Sequence, residues 1–503
     1  MQMAFEGVGT TMRPVPIGGA VEAFNSGLAA RKPTLFDSLP ADLEHLQHLW
    51  TDAYLAKAAG DTVLQVEQRG GEGQAFGKGD ASKATLTLAA ALARMAAGDT
   101  SLYITTQAVP TAPDGHPALY APLIERLAAD LPVAPQLTAS LVPQSINLWC
   151  GAATQGSSSG LHCDYHDNLY VLLRGRKRFR LYPPSQAPRM YTVGRPAVVH
   201  PNGRIVFRGQ GDIQADGSEA GDAARWLARR EAEAELAAAE SAATQGLPGA
   251  SKRLRAAEQR LDAVLDAALE GDGDDFAGFD DFDALEAQPV DQASPPPLHA
   301  AAAGDPESFS RVDLSLPDSE LRRRFPRFPG KDAALVCEVA AGQMLYLPAG
   351  WFHEVTSFSE PGCPTHMALN WWFHPPDNLG GGGDAAAAKP YRSGYWPAVW
   401  EGRRAEYEAR HRKATGQQQG QQQGEAQPQA AVQGDAARSG RKRKASGDAT
   451  DAAAAATVQH QDALRACRHG GSMRQQTLPR SYGLFGVGRR QHLHRFVMLR
   501  TPR

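Results

Sequence analysis

The sequence lacks the features that mark secreted, disulfide-stapled and membrane-spanning proteins. Its five cysteines include no C-x-x-C pair, which predicts free thiols in a reducing compartment. No uncharged apolar run approaches the ~18 residues needed to span a bilayer. The first residues include Glu6 and lack the apolar core of a secretory signal. We therefore expect an intracellular protein, in the nucleus or the cytoplasm, with no membrane partner.

A strong charge of either sign is also missing. The formal net charge is -3 at pH 7, which favours no particular class of partner. The concentrated basic run Arg441–Lys444 is interpreted as a solvated patch of the tail, with nuclear import or nucleic-acid binding as the alternative. We do not expect the main folded part to bind nucleic acid, and composition leaves the oligomeric state open.

Length and composition divide the chain into ordered and low-complexity parts. At 503 residues it is too long for one compact core. Residues 204–306 are rich in Ala, Glu and Arg and predict a helical hairpin followed by an acidic segment, read as a low-complexity insertion or, alternatively, as a docking element for a basic partner. From residue 401 the chain becomes glutamine-rich, which predicts a disordered tail. The predicted organisation is an N-terminal extension (1–30), a core domain in two parts (31–203 and 307–400), the insertion (204–306) and the tail (401–503).

The ordered parts are rich in predicted strands, with β-branched and aromatic residues between turn residues. In the first part these strands are KPTLF, DTVLQVE, SLYITTQAV and QSINLWCG, and in the second they are Val336–Val339, Gln343–Leu347 and Ala368–Phe373. Residues 70–83 are predicted as a glycine-rich loop and residues 84–97 as a helix. We expect a mainly β protein with flanking helices.

The segment SGLHCDYHDNLYVLLRGRKRFRLYPP, residues 159–184, predicts a strand, a turn and a second strand. His162 and Asp164 are two residues apart, so a strand would place both side chains on one face and Cys163 on the other. His353, in GQMLYLPAGWFHEV, is the candidate third ligand. Two histidines and a carboxylate hold the iron of non-haem oxygenases, and they also hold hydrolytic zinc. The residues alone leave both metals open.

Four blocks carry a family resemblance: NLWCGAATQGSSSGLHCDYHDNLYVLLRGRKRFRLYPP, FPRFPG, GQMLYLPAGWFHEV and ALNWWF. KPTLF and SLYITTQ extend it upstream, so that it covers most of residues 30–200 and 306–380 but neither the insertion nor the tail. In these blocks the sequence resembles the jumonji-C family of iron- and 2-oxoglutarate-dependent oxygenases. It is most similar to the cupin-8 branch of small hydroxylases, which includes the asparaginyl hydroxylase of hypoxia signalling.

The resemblance implies a double-stranded β-helix, which is a jelly-roll barrel flanked by helices. It makes His162, Asp164 and His353 the Fe(II) ligands and catalytic residues, and it places Lys177 on the distal carboxylate of the co-substrate 2-oxoglutarate. Further positions around the co-substrate and the metal are matched by Tyr103, Ser159, Asn168, Asn370 and Trp372. The serine departs from the threonine of the family, keeping the hydroxyl and losing a methyl group.

Each of these residues can also be explained by a structural role that involves no functional site. Lys177 is one cation of the basic turn RGRKRFR, Tyr103 and Trp372 are ordinary strand aromatics, and Asn168 satisfies backbone groups at a strand bend. Three nearby histidines match no family position and are interpreted as structural or surface residues: His166, His366 and His374.

The reaction that the resemblance implies is hydroxylation of a C–H bond by O2, coupled to the oxidative decarboxylation of 2-oxoglutarate to succinate. The implied substrate is a side chain of an intracellular protein or peptide. A histone lysine demethylase of the same family is one alternative, and a non-catalytic cupin that binds a ligand or a partner is another. The complete ligand set together with Lys177 favours an enzyme, because a binding scaffold needs none of them.

Overall fold

The computed structural model describes residues 10–70, 75–77, 82–111, 117–271, 305–380 and 383–424. The helices are α1 (Ala20–Ala30), α2 (Leu46–Leu49), α3 (Asp52–Ala59), α4 (Leu88–Ala96), α5 (Pro122–Arg126), α6 (Ala220–Thr244), α7 (Ala250–Gly271), α8 (Asp318–Arg324), α9 (Gly383–Ala388) and α10 (Tyr395–Gly424). The strands are β1 (Thr34–Phe36), β2 (Val63–Gln68), β3 (Ser82–Thr87), β4 (Leu102–Ile104), β5 (Pro143–Gly151), β6 (Ser157–Ser158), β7 (His162–Cys163), β8 (Asp167–Arg174), β9 (Arg176–Tyr182), β10 (Pro196–Val199), β11 (Ile205–Phe207), β12 (Leu335–Ala340), β13 (Met344–Leu347), β14 (Phe352–Phe358) and β15 (His366–Phe373). Among these residues no helix combines the length and apolar composition that crossing a bilayer requires.

Two antiparallel sheets form the centre of the molecule. The larger has the strand order β1-β13-β8-β15-β5-β4-β2-β3, and the smaller has the order β12-β9-β14-β6 with β7 paired to β14. The turn at Gly175, where φ is +80°, joins β8 of the larger sheet to β9 of the smaller one. The predicted mainly β architecture with flanking helices is therefore confirmed.

The two faces of the larger sheet pack against different parts of the protein, as the side chains of strand β15 show. Met367, Leu369 and Trp371 belong to an apolar cluster that the sheet shares with α1, α3 and α4. On the opposite face, Ala368 belongs to a cluster that also contains Phe179 and other residues of the smaller sheet. Because side chains alternate along a strand, even-numbered residues of β15 line the space between the two sheets.

Two stretches differ from the sequence prediction. Residues 82–87 form strand β3 on β2, and helix α4 begins only at Leu88, whereas we predicted a loop to residue 83 and a helix from residue 84. Thr87 ends the strand and caps the helix, since its side chain accepts a hydrogen bond from the Ala90 amide at 3.3 Å. Helix α10 continues through Gly424, beyond the predicted start of the tail at residue 401. The Phe-rich acidic segment and the basic run Arg441–Lys444 lie outside the described residues.

The chain leaves the two sheets after β9, forms the separate β10–β11 pair, and returns to them beside β7. Within residues 204–306, helices α6 and α7 pack against each other. At the return point the Val193 amide donates to the Phe309 carbonyl at 2.8 Å, and the Ser310 amide donates to the Leu161 carbonyl at 2.8 Å. The end of this segment is thus held against the strand that begins with His162.

A buried ion pair connects the end of α1 to the start of β8, and the hydrogen bonds around it extend to β13 and to the segment before β14. Arg31, in the left-handed conformation after α1, donates two hydrogen bonds to Asp167 at the start of β8, one of them at 2.7 Å. Asp167 also accepts from the Tyr346 hydroxyl at 2.7 Å and from the Ala349 amide at 3.0 Å. The Trp351 indole in turn donates to the Arg31 carbonyl at 3.0 Å. These bonds fix the segment before His353 relative to the segment after Asp164.

Candidate metal and co-substrate site

Three side chains converge at one end of the space between the sheets. One ligand atom from each of His162, Asp164 and His353 lies within 4.8 Å of the others. The two histidines are neighbours across the β7–β14 pair, and Asp164 follows directly after β7. The His162 Nε2 atom is 3.9 Å from Asp164 Oδ1, and the His353 Nε2 atom is 3.8 Å from Asp164 Oδ2. Such spacing suits one metal ion between the three atoms.

Both histidines are oriented by backbone carbonyls. The His162 Nδ1 atom lies 3.0 Å from the Gly160 carbonyl oxygen, and the His353 Nδ1 atom lies 3.0 Å from the Trp351 carbonyl oxygen. A hydrogen at Nδ1 that donates to a carbonyl leaves Nε2 as the lone-pair nitrogen. Both Nε2 atoms face Asp164, so the histidine tautomers match what metal binding requires.

The triad is largely shielded from solvent. The side chains of His162 and Asp164 are 14% and 20% exposed, and that of His353 is 5% exposed. Phe309 covers the His162 ring in a parallel stack, with centroids 4.6 Å apart. Burial raises the pKa of the Asp164 carboxyl, and the neighbouring His353 acts against this rise. Cys163 lies between two ligands in sequence, but its side chain belongs to an apolar cluster with Tyr182 and Phe352.

A close contact between two glycines holds the loop that contains Asp164. The Gly350 amide donates to the Asp164 carbonyl at 2.9 Å. A Cβ atom on Gly350 would lie 1.8 Å from the Gly203 carbonyl oxygen, and its φ of +77° already disfavours a side chain. Only glycine lets these backbone segments approach so closely.

Gly350→Ala is therefore expected to displace the Asp164 loop and weaken both the fold and the metal site. We expect a loss of roughly 2–4 kcal/mol in the free energy of unfolding, with weaker binding of Mn(II), measured by urea denaturation and by calorimetry. Gly362→Ala is the control, because that glycine has a φ of +81° and no neighbouring atom within 4 Å. If both variants behave alike, the contact with Gly203 has no special role.

Lys177, on β9, is a fully buried cation without an acidic partner. Its Nζ atom lies 2.6 Å from the Ser357 hydroxyl oxygen and 3.4 Å from the Tyr103 hydroxyl oxygen. No carboxylate pairs with it among the residues that the structure describes. Burial lowers its pKa to about 7. A buried ammonium costs several kcal/mol unless an anion compensates it, so this arrangement suits the carboxylate of a bound molecule.

The other residues singled out from the sequence occupy the same space. Asn370 accepts a hydrogen bond from the Trp149 indole at 2.8 Å and donates to the Asn168 side-chain oxygen at 3.0 Å. Trp372 lies on the Asn370 face of β15, with its ring centroid 6.2 Å from that of Trp149. Burial raises the pKa of Tyr103 well above its usual value, so its hydroxyl stays protonated.

Ser159 is placed differently from the others. Its hydroxyl donates to the Gly160 carbonyl at 3.0 Å and accepts from the Val355 amide at 3.0 Å. In this arrangement the Ser159 hydroxyl stabilises the loop before His162, and its hydrogen is already used in the bond to Gly160. The hydroxyl next to Lys177 comes instead from Ser357, which sequence reasoning missed. Strand alternation from His353 would have found it, since residues 353, 355 and 357 share one face.

The donor set fits a metal ion and an acidic co-substrate. Two neutral imidazole nitrogens and one carboxylate oxygen suit Fe(II) and leave other coordination positions open. Lys177 supplies a cation for a carboxylate, with hydroxyls beside it. Together, fold and site define a two-sheet protein with a His-x-Asp…His cluster at metal-binding distances and a buried lysine that pairs with no carboxylate among the described residues.

Comparison with known proteins gives the family. Residues 20–379 match the cupin-like domain family. The chain is 32% identical over 407 aligned residues to JmjC domain-containing protein 4 of Schizosaccharomyces pombe, an alignment that covers 71% of this chain and 82% of that protein. The chain therefore belongs to the cupin-like, JmjC-related family, whose members are usually iron- and 2-oxoglutarate-dependent oxygenases.

Two more distant relatives carry names that state an activity. The chain is 23% identical over 234 residues to Lysine-specific demethylase JMJ32 of Arabidopsis thaliana. It is 23% identical over 233 residues to Bifunctional peptidase and (3S)-lysyl hydroxylase JMJD7 of Homo sapiens. Each alignment covers 46% of this chain and 42% of the relative, so the chain spans less than half the length of either protein.

Proposed function

We propose that the protein is an Fe(II)- and 2-oxoglutarate-dependent oxygenase that hydroxylates a side chain of an intracellular protein. The observation that carries this proposal is the buried, carboxylate-free Lys177 in the same inter-sheet space as the complete triad. Hydrolysis at zinc would use the triad alone. A dicarboxylic oxo acid that is bound at the metal by one end has a second carboxylate, and this carboxylate requires a cation such as Lys177.

The residues of the chain have distinct tasks in this reaction. His162, Asp164 and His353 hold Fe(II), which supplies the activation of O2 and the hydroxylation chemistry when it is bound. Lys177 and the Ser357 hydroxyl bind the distal carboxylate and so aim the oxo-acid end at the metal. Asn168 and Asn370 line the space between the two sheets, and the Trp149 indole holds Asn370 in place. Because His162 and Asp164 are more exposed than His353, the substrate side chain approaches from their side of the triad.

A lysine demethylase is the second candidate, because one relative is named as such and another as a lysyl hydroxylase. The two reactions share the metal and the co-substrate and differ in the carbon that is hydroxylated. A hydroxylated methyl group on nitrogen leaves as formaldehyde, whereas a hydroxylated side-chain carbon keeps its oxygen. The product therefore distinguishes them.

The test is turnover by the purified full-length chain with Fe(II), 2-oxoglutarate, O2 and panels of unmodified and methylated peptides. We expect succinate formation that depends on a peptide, and a product heavier by one oxygen atom in mass spectrometry. Loss of a methyl group with release of formaldehyde would favour the demethylase instead. Absence of succinate, together with unchanged metal binding in His162→Ala and Asp164→Ala, would rule out the oxygenase, and a non-catalytic binding module would remain.

The affinity for 2-oxoglutarate is expected to fall as the pH rises through about 7. Lys177, whose pKa burial lowers to about 7, must be protonated to bind a carboxylate, so above this value binding has to take up a proton. We expect the dissociation constant to rise about tenfold per pH unit between about pH 7 and 9. The neighbouring groups do not titrate in that range, because burial raises the pKa of the Cys150 thiol to about 12, raises the pKa of Tyr103 well above its usual value and lowers that of His366 well below its usual value.

Calorimetric titration of the Mn(II)-loaded protein measures this dependence. The control ligand is 2-oxopentanoate, which has a methyl group in place of the distal carboxylate. The affinity for 2-oxopentanoate should still change with pH if the metal ligands titrate, but it should not show the change that is due to Lys177. Parallel pH profiles for the two acids would show that Lys177 does not bind the distal carboxylate.

A further inference from the structure

His366 begins strand β15 and lies in a row with Gly151 on β5 and Tyr103 on β4. The register pairs His366 with Gly151, and Gly151 with Tyr103. Residues 366, 368, 370 and 372 share one face of β15, which is the face that lines the space between the two sheets. His366 is therefore on the same face as Asn370 and at the end of the strand nearest Lys177.

The His366 ring is buried and unpartnered. Its exposure is 0%, and neither ring nitrogen has a hydrogen-bond partner among the described residues. Burial and the nearby Lys177 charge hold the pKa of His366 well below its usual range. The ring is therefore neutral at physiological pH, with one N–H donor and one acceptor. Leaving both unsatisfied in a buried site is unfavourable, and hydrogen bonds to a bound ligand would remove that penalty.

Gly151 makes the space that the His366 ring occupies. A Cβ atom there would lie 2.8 Å from Tyr103 Cδ2 and 3.1 Å from both Cε1 and Nε2 of His366. With glycine at this position the two rings sit side by side, their centroids 5.7 Å apart. The Tyr103 hydroxyl is in turn 3.4 Å from Lys177 Nζ. The imidazole edge, the phenol and the ammonium thus border one buried region.

We propose that His366 is a further binding residue for the co-substrate, donating its N–H to the distal carboxylate of 2-oxoglutarate beside Lys177. This inference rests on the proposed function and deepens it. Lys177 is a point charge on a flexible stem and attracts any carboxylate. A rigid imidazole held over Gly151 adds a fixed donor direction, so the pair selects an oxo acid whose second carboxylate lies at the right distance.

The test compares His366→Phe, which keeps a planar ring without nitrogens, with His366→Gln, which keeps an N–H donor. Full-length protein loaded with Mn(II) is titrated with 2-oxoglutarate and with 2-oxopentanoate by calorimetry. In His366→Phe we expect the affinity for 2-oxoglutarate to fall about 10- to 100-fold and the affinity for 2-oxopentanoate to stay unchanged. His366→Gln should regain part of the loss. His366→Met, with a flexible apolar side chain, repeats the measurement in case the phenylalanine does not pack.

The outcomes separate the inference from the proposed function. Wild-type affinity for 2-oxoglutarate in a folded His366→Phe or His366→Met overturns the inference and leaves the oxygenase proposal standing. Equal losses for both acids also overturn it, because they indicate general damage to the pocket. If the wild-type protein itself fails to bind 2-oxoglutarate, the proposed function fails and this inference falls with it. Melting temperatures without ligand identify the variants that are folded.

Discussion

Asp164→Ala should abolish tight metal binding and, with it, the 2-oxoglutarate-dependent formation of succinate. Asp164 lies between the two histidines, with an oxygen atom 3.9 Å from His162 Nε2 and another 3.8 Å from His353 Nε2, and it supplies the only negative charge of the triad. Replacing a residue that merely orients a metal ligand weakens affinity about 10- to 100-fold, so losing a ligand should cost at least ~100-fold. The two remaining imidazoles hold the metal too weakly to position an oxo acid.

The measurement is Mn(II) affinity by calorimetry alongside succinate formation with Fe(II). His48→Ala is the control, because His48 is exposed on α2 and away from the site. It should keep the wild-type metal affinity and thus show that losing a surface histidine does not matter. Since burial raises the pKa of the Asp164 carboxyl, burying its charge is unfavourable, and the metal-free variant should melt no lower than the wild type. Retained tight binding in Asp164→Ala would contradict the assignment of the triad.

Lys177→Met should make the free protein more stable while removing its preference for 2-oxoglutarate. Burial lowers the pKa of Lys177 to about 7 from 10.5. Because the folded-state value is the lower one, the unfolded chain binds the proton more tightly, and the lysine destabilises the fold in full below about pH 7. The penalty fades as the pH rises towards 10.5. Methionine removes this penalty but also loses the hydrogen bond to Ser357. We therefore expect the free energy of unfolding at pH 7 to increase by roughly 1–3 kcal/mol.

Urea denaturation at several pH values tests the stability half of this prediction, and calorimetry with 2-oxoglutarate tests the other half. Loss of a buried charge pair with the co-substrate should weaken binding by about 2–5 kcal/mol, which is about 30-fold or more. Lys57→Met, at an exposed position of α3, should change neither quantity. A stabilised Lys177→Met that still prefers 2-oxoglutarate over 2-oxopentanoate would place the distal carboxylate elsewhere.

The sequence was informative where a function depends on local spacing. His162 and Asp164 converge as their separation predicts, although β7 ends at Cys163 and Asp164 is already beyond the strand. Most predicted strands appear within a few residues of their predicted bounds, because alternation and turn residues are local signals. The strand at residues 82–87 was missed because its alanine and the leucine-rich helix after it resemble one continuous helical pattern.

Features that depend on distant partners were not predictable from the sequence. The Arg31–Asp167 pair joins residues 136 positions apart, and nothing around Arg31 indicates it. The sequence interpretation of His366 was a structural or surface histidine; in the structure it is buried, near Lys177, and its ring nitrogens have no hydrogen-bond partner among the described residues. The space for its ring depends on Gly151 across the strand pair, and register is set by tertiary packing rather than by local composition.

The interleaved strand order governs how the protein is made. Strand β8 lies between β13 and β15, and β9 lies between β12 and β14, so both strands of the first half find their neighbours only in the last part of the core. While the ribosome is synthesising the helical segment between the two parts of the core, β8 and β9 have unpaired edges exposed to solvent. His162 and Asp164, two of the three proposed metal ligands, are meanwhile present without His353. We therefore expect the nascent chain to need protection from aggregation until residue 373 has emerged, and the three proposed metal ligands to come together only late in its maturation.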